Sequence, residues 1–346
     1  MSSACHRIGL FIVLFASAAA AMDRVPTTKA SATAWIPPVT PYGTPDLGGV
    51  WVNNRATPLE RPKALEGRPF LTDAEVIAFQ QRADRLFKNG NSDFAAGDAV
   101  FLAAFANLDT YKNPDATADS LLSDDREFDH RTSLIVDPPD GRIPSLTAAA
   151  QQRLAAIAVA RTAARQGGQM RPGDLSNALR CITWGLPRLI VNPYTDHYRI
   201  IQSPGSVVLD LETDLRIIPI DGRPHLRQSI RQLLGDSRGR WEGHALVIDT
   251  TNFSPNSNFM GASEHLHLVE RFTRISPDGI TYHVTIDDPT TWTRSWTVEI
   301  HLKRTKQTLY EYACHEGNHG VMSGMLVAAR VEYERARKMK AQSTSK

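Results

Sequence analysis

The second half of the chain alternates between short apolar segments and turn signals, and this pattern constrains the fold more than any other feature. Within the segments apolar and polar residues also alternate, so that Tyr282, Val284 and Ile286 fall on one face of an extended chain. Such strands, joined by short connections, predict a mainly β fold: an antiparallel barrel or a strongly curled sheet. The eight segments are residues 198–203, 206–212, 215–220, 245–250, 266–275, 281–286, 296–303 and 309–314.

The residues before this region have a mixed, mainly helical or irregular pattern. A helix is predicted from a cap at Thr72 or Asp73 through Leu86, and a second helix over residues 146–166 behind Ser145. Short strands are predicted at residues 46–53 and 133–137, and a C-terminal helix at residues 324–338. We therefore expect a single domain over residues 46–338 with a helical insertion at about 54–186, followed by a basic tail, residues 339–346.

The N-terminus has the layout of a secretory signal. Arg7 precedes an apolar run, residues 8–21, which ends in small residues and predicts cleavage near Ala21. The run is short for a membrane-spanning helix, so no stable membrane anchor is expected. Residues 22–45, rich in Pro, Thr, Ser and Ala, are predicted to be a flexible leader. The mature chain is accordingly expected in the periplasm or outside the cell.

Composition and motifs exclude several functional classes. Lys and Arg number 39 against 37 Asp and Glu, a net charge of +2, so no overall field favours binding to nucleic acid. The sequence has no Gly-rich phosphate loop, zinc CxxC pair or HExxH helix, and predicts no cofactor. The expected partner is a small-molecule ligand or substrate, and nothing in the sequence indicates an oligomeric state.

The predicted export affects which role is expected for the cysteines. Cys5 would leave with the signal, so the mature chain would hold only Cys181 and Cys314. In an oxidising compartment two cysteines favour a disulfide. The alternative makes Cys314 a nucleophile assisted by His315, but neighbours on a strand point to opposite faces.

Several motifs resemble those of a large, largely uncharacterised family of exported bacterial proteins. The resemblance runs from about Asp46 to near Lys338 and implies no settled activity. Separately, Gly49-Val50-Trp51 is similar to the Gly-x-Trp that opens lipocalin-like barrels, although the long helical insertion departs from that pattern. The family motifs are CITWGLPR from Cys181, GDSRGRWEG, VIDTTNF, LHLVERFTR, TIDDP and ACHEGN.

Two polar stretches, residues 235–252 (GDSRGRWEGHALVIDTTN) and 313–319 (ACHEGNH), are the densest clusters of ionisable and amide side chains at predicted strand ends. Histidine titrates near neutral pH and suits acid–base catalysis. We expect His267 and His315 to carry protons, with Glu270, Glu316 or Asp249 orienting or assisting them. The expected substrate-binding residues are Trp241, Arg238, Asn252 and Asn318.

Strand parity sorts the residues of EHLHLVERF. His265 and His267 project to one face and Glu270 to the other, so the His-x-His, which resembles the metal-binding strand of cupins, lacks a carboxylate on its own side. A metal site of His265, His267 and His315 is therefore an alternative. A Ser–His–Asp hydrolase is disfavoured because Ser237 lies in Gly-Asp-Ser-Arg-Gly, which is not a nucleophile elbow.

These patterns predict a periplasmic enzyme that acts on a small, partly apolar molecule by cofactor-independent acid–base chemistry, as a lyase, hydratase or isomerase. The alternatives are a non-catalytic carrier of a hydrophobic small molecule and a His-ligated metal enzyme.

Overall fold

A computed structural model describes residues 35–87, 98–109, 126–189, 196–257 and 259–344. The predicted signal peptide and most of the predicted leader fall on residues 1–34, outside the described residues. Every helix and strand below belongs to one compact unit, Ile36–Lys346. No helix in the described ranges is long and apolar enough to cross a membrane.

The main element is an antiparallel sheet of ten strands in the order β5-β4-β3-β1-β10-β9-β8-β7-β6, with β2 also pairing with β10. Alternating side chains form this sheet: β9 follows a strict half-buried and buried pattern, with Tyr282, Val284 and Ile286 on the core face. The strands are β1 Gly49–Val52, β2 Ile135–Asp137, β3 His197–Ser203, β4 Ser206–Asp210, β5 Leu215–Pro219, β6 Asp236–Glu242, β7 Ala245–Thr251, β8 His267–Ser276, β9 Gly279–Asp287 and β10 Trp296–Thr305.

The two edge strands, β5 and β6, approach each other through their side chains. Arg216 in β5 donates a hydrogen bond of 3.0 Å to Ser237 in β6. A Cβ atom at Gly239 in β6 would come within 3.0 Å of Ile218 Cγ2 in β5. No ladder of backbone hydrogen bonds joins these two strands, all of whose residues are described, so the sheet is not closed into a barrel.

Four helices accompany the sheet: α1 Asp73–Phe87, α2 Ala99–Ala106, α3 Ala148–Gln166 and α4 Asn318–Thr344. The predicted cap of α1 is confirmed, because the Thr72 backbone N–H donates to Glu75 Oε2 at 2.9 Å and the Glu75 N–H to Thr72 Oγ1 at 3.3 Å. Phe79 of α1 packs edge-to-face on Phe101 of α2 in a small second core. The N-cap of α3 is Thr147, two residues beyond the predicted Ser145.

The structure corrects the sequence-based prediction at two polar stretches. Residues 309–314 were predicted to be a strand, but they are irregular and lead into a turn before α4; Tyr310 is exposed, so no buried face holds them in the sheet. Residues 236–240 fall outside the predicted strands, but they belong to β6, which pairs with β7 from Asp236↔Thr251 to Glu242↔Ala245. As an edge strand, β6 carries many polar side chains and lacks a plain apolar alternation.

Candidate functional site

Three neighbouring strands and one loop bring five charged or titratable side chains together. Asp236 and Arg238 lie in β6, Asp249 in β7 and His267 in β8, and His225 lies in the loop that connects β5 to β6. We call this group the Asp249 cluster. The sheet pairs β6 with β7 and β7 with β8, which places these side chains side by side although they span 43 residues (225 to 267, inclusive) of sequence.

Asp249 is the centre of the cluster because it binds two imidazoles. His267 Nε2 lies 3.1 Å from each of the two carboxylate oxygens of Asp249. His225 Nε2 lies 3.0 Å from Asp249 Oδ1, and its other ring nitrogen, Nδ1, lies 3.0 Å from Asp236 Oδ2. His225 is therefore held between two carboxylates, whereas the Nδ1 of His267 has no hydrogen bond to any described residue.

The side of the cluster next to Asp236 is buried and is held in place by an ion pair and hydrogen bonds. Asp236 is 4% exposed. Its carboxylate forms a salt bridge of 2.7 Å with Arg238 and accepts a hydrogen bond of 2.8 Å from the backbone N–H of Leu226. Asn252, whose φ is +57°, donates to the Leu226 carbonyl at 2.9 Å. These contacts hold the loop that carries His225 against the sheet.

The opposite side of the cluster is open to solvent, since the His267 side chain is 37% exposed. The hydrogen bond to Asp249 raises the pKa of His267 above its ordinary value, and this effect outweighs the partial burial that lowers it. The same hydrogen bond lowers the pKa of Asp249. The two residues therefore form a hydrogen-bonded imidazole–carboxylate pair in a side chain that solvent reaches, an arrangement suited to proton transfer.

Of the residues predicted from sequence, the structure brings Asp249, His267 and Arg238 into contact with this group, and Asn252 supports its loop. Trp241 lies in the same strand as Arg238 and packs against the main core. Reasoning from sequence missed His225. Its position in an irregular loop carries no spacing signal, and its proximity to Asp249 arises only from the pairing of β6 with β7.

Glu270, expected to assist catalysis, lies on the opposite face of β8 from His267, as strand parity indicated. It is 2% exposed and binds Arg216 through both carboxylate oxygens, at 3.0 and 2.6 Å. The Tyr282 hydroxyl donates to Glu270 at 2.9 Å, and burial followed by the nearby Glu270 raises the pKa of that hydroxyl well above its ordinary value. Glu270 thus belongs to a polar group inside the sheet.

The predicted ACHEGNH group lies elsewhere. Cys181 and Cys314 form the predicted disulfide. It joins the segment before α4 to a turn that lies after α3 and after the short 3-10 helix Pro172–Asp174. His315 and Glu316 are exposed, and neither side chain forms a hydrogen bond or ion pair within the described residues. Asn318 donates to the Leu179 carbonyl at 3.0 Å, which is a local structural contact.

The alternative metal ligands are not assembled either. His265 lies in the turn before β8, where the only hydrogen bond shown is from its backbone to Ser263 Oγ. Among the described residues the one group that brings three ligand atoms within 4.8 Å of one another is Asp196, His197 and Glu212. Burial lowers the pKa of His197, but the adjoining carboxylates of Asp196 and Glu212 outweigh this effect and raise the pKa to about 10. Positive charge is thus strongly favoured at that position.

A further histidine group lies on the half-buried face of β9 and β10. Glu299 accepts from His283 Nε2 at 2.6 Å and from Arg131 Nη1 at 3.1 Å, and its carboxylate lies 3.0 Å from His301 Nε2. The hydrogen bond from His283, then that from His301, holds the pKa of Glu299 well below its ordinary value. Because Arg131 lies outside the sheet, the group fastens the preceding segment to it.

Comparison with protein-family models, curated proteins and solved structures finds no match for this chain. The resemblance to a family of exported bacterial proteins therefore stays a prediction, and the site rests on its own geometry.

Proposed function

We propose that the chain is an exported enzyme that performs acid–base chemistry on a small, partly apolar molecule at the Asp249 cluster. The observation that carries the proposal is the contact of His267 Nε2 with both oxygens of Asp249, 3.1 Å each, in a side chain that solvent reaches. A histidine oriented by a carboxylate is a common unit of proton transfer.

The proposed role of each side chain follows from which of its nitrogen or oxygen atoms already form hydrogen bonds. Asp249 accepts the Nε2–H of His267 and stabilises the imidazolium, so Nδ1 is the atom left to exchange a proton with the substrate. His225, fixed between Asp249 and Asp236, keeps the carboxylate of Asp249 in place and supplies a second imidazole. This arrangement suits proton removal next to a carbonyl group, and hence elimination, hydration or isomerisation.

Export is part of the proposal and is supported by the disulfide, which persists in oxidising compartments. The curled sheet also fits a lipocalin-like scaffold with its site at the rim. A carrier of a hydrophobic ligand has less support, because large side chains fill the inner face: Phe272 and Tyr282 stack there with ring centroids 4.4 Å apart. A metal enzyme using His265, His267 and His315 has no support from the positions of these residues.

The test is proton exchange in D₂O, followed by NMR, on a panel of small ketones and enones. We expect the wild-type chain to catalyse exchange or double-bond movement in at least one panel member. His267→Ala and Asp249→Asn should lower the rate by about 10²–10⁴-fold, the usual contribution of a positioned acid or base.

His265→Ala is the matched control, because it removes an imidazole two residues away that makes no contact with the cluster; His315→Ala is the second. Both should keep the wild-type rate. Wild-type inactivity across the panel, or full activity of His267→Ala, would contradict the proposal.

A further inference from the structure

A second group of titratable side chains lies outside the Asp249 cluster. His197 begins β3, Asp196 precedes it, and Glu212 lies in the turn between β4 and β5. In the strand order β1, β10, β9 and β8 separate β3 from β7, so the group shares no residue or neighbouring strand with Asp249. The acid–base proposal does not use it.

The three side chains converge on one point. His197 Nδ1 lies 2.9 Å from Asp196 Oδ1 and 3.5 Å from Glu212 Oε1, and one ligand atom from each residue lies within 4.8 Å of the others. Ligand atoms about 2.1 Å from a tetrahedral ion lie about 3.4 Å from one another. The two measured separations bracket that value.

The ring of His197 is oriented as it is in many metal sites. Its Nε2 lies 3.0 Å from Gln307 Oε1. An amide oxygen only accepts, so Nε2 carries a proton, and a metal ion that displaces the Nδ1 proton meets the Nδ1 lone pair on the side of the two carboxylates. A second hydrogen bond that fixes the tautomer in this way is the usual support of a metal-binding imidazole.

Asp196 supplies an independent observation. It is 1% exposed, and its Oδ2 is 3.3 Å from Arg126 Nη1. Its other oxygen, Oδ1, is buried and accepts no hydrogen bond from the described part of the chain, although His197 Nδ1 is 2.9 Å away. A buried carboxylate oxygen in this position is stabilised by a cation.

We propose that Asp196, His197 and Glu212 bind one divalent transition-metal ion, with zinc as the expected metal. One imidazole and two carboxylates match the ligand set and number of zinc sites that keep a fourth position open, whereas magnesium and calcium prefer oxygen ligands alone. The His197 and Glu212 side chains are 10% and 14% exposed, which leaves a route from the surface for the ion.

The test uses the untagged full chain, stripped with EDTA and titrated with ZnCl₂ by calorimetry, with the bound metal counted by mass spectrometry. We expect one zinc ion per chain. Glu212→Gln and Asp196→Asn should weaken binding by at least about 100-fold, and Gln307→Ala by about 10–100-fold through the support of the ring.

His267→Ala is the matched control, because it removes a histidine of the other cluster and should leave zinc affinity unchanged. A structural defect is distinguished by the thermal unfolding temperature. Zinc at about 100 times its Kd should raise the wild-type Tm by about 5 °C or more and leave that of folded Glu212→Gln unchanged. Absence of stoichiometric zinc in the wild type, or wild-type affinity in Glu212→Gln, would overturn the site.

Discussion

Arg216 and Glu270 form a two-pronged ion pair on the inner face of the curled sheet, with nitrogen–oxygen distances of 3.0 and 2.6 Å. Arg216 belongs to the edge strand β5 and Glu270 to β8, which lies two strands from the other edge, so the pair joins strands that are far apart in the strand order. The Arg216 side chain also donates to Ser237 and Thr250, at 3.0 and 3.2 Å. These contacts satisfy a buried charge that would otherwise oppose folding.

Removal of one partner should therefore be strongly destabilising. We expect Glu270→Leu to lower the free energy of unfolding by about 3–5 kcal/mol, because it leaves Arg216 charged and unpaired in the core. The measurement is urea unfolding followed by circular dichroism. The double variant Arg216→Met/Glu270→Leu is the control and should recover most of the loss. A loss below about 1 kcal/mol in Glu270→Leu would indicate that the pair is not buried as described.

The pair of His267 and Asp249 makes stability depend on pH in a defined window. The pKa of Asp249 is lowered from 3.8, so its contribution is present above that value and is lost as pH falls through the lowered pKa. The pKa of His267 is raised from 6.5, so its contribution is present below 6.5 and is lost as pH rises through the raised pKa.

The full contribution should accordingly appear between about pH 4 and pH 6.5. We expect Asp249→Asn to cost about 0.5–1 kcal/mol there, a small value because solvent screens the half-exposed pair, and less at pH 9. NMR titration of the His267 ring should show its pKa falling in Asp249→Asn. An unchanged His267 pKa would contradict the contact.

The disulfide between Cys181 and Cys314 should stabilise the fold through the long segment it closes, since the two residues are 133 positions apart. We expect Cys181→Ser/Cys314→Ser to lower the free energy of unfolding by about 2–5 kcal/mol. Denaturant unfolding with and without dithiothreitol measures this: reduction should destabilise the wild type and leave the double variant unaffected. A free thiol detected by mass in the oxidised mature chain would contradict the bond.

Glu299 should stabilise the fold at neutral pH, and this stabilisation should decrease in acid. Its pKa is lowered from 4.5, so its contribution is present above that value and falls as the carboxylate is protonated. We expect Glu299→Gln to cost about 1–3 kcal/mol at pH 7, from the lost charged hydrogen bonds, and progressively less below pH 4.5. Thermal unfolding over a pH series measures both. If the loss of stability in Glu299→Gln does not depend on pH, the loss comes from packing and not from the charge of Glu299.

The sequence predicts the sheet where polar and apolar residues alternate clearly. In β8, β9 and β10 the predicted strands start or end within two residues of the observed bounds, and parity alone separates His267 from Glu270. Prediction fails where that signal is missing. The eight residues of α2, AVFLAAFA, are all apolar and show no period, and β6 is a polar edge strand.

The candidate site is predictable only in part for the same reason. Asp249 and His267 lie in regular strands, where position in sequence determines the face. His225 lies in a loop, and its distance from Asp249 depends on how the chain crosses from β5 to β6. His315 was expected in the site because residues 309–314 resembled a strand, but the chain leaves the sheet after Thr305.

The gap between β5 and β6 has a mechanical consequence. Because side chains alone join these strands, the circumference of the curled sheet can change there without breaking a backbone hydrogen bond of the ladder. The loop that carries His225 crosses this gap, and within β6 Ser237 contacts Arg216 while its neighbours Asp236 and Arg238 belong to the Asp249 cluster. A substitution deep in the interior would thus alter the spacing of two imidazoles on the surface without touching either of them.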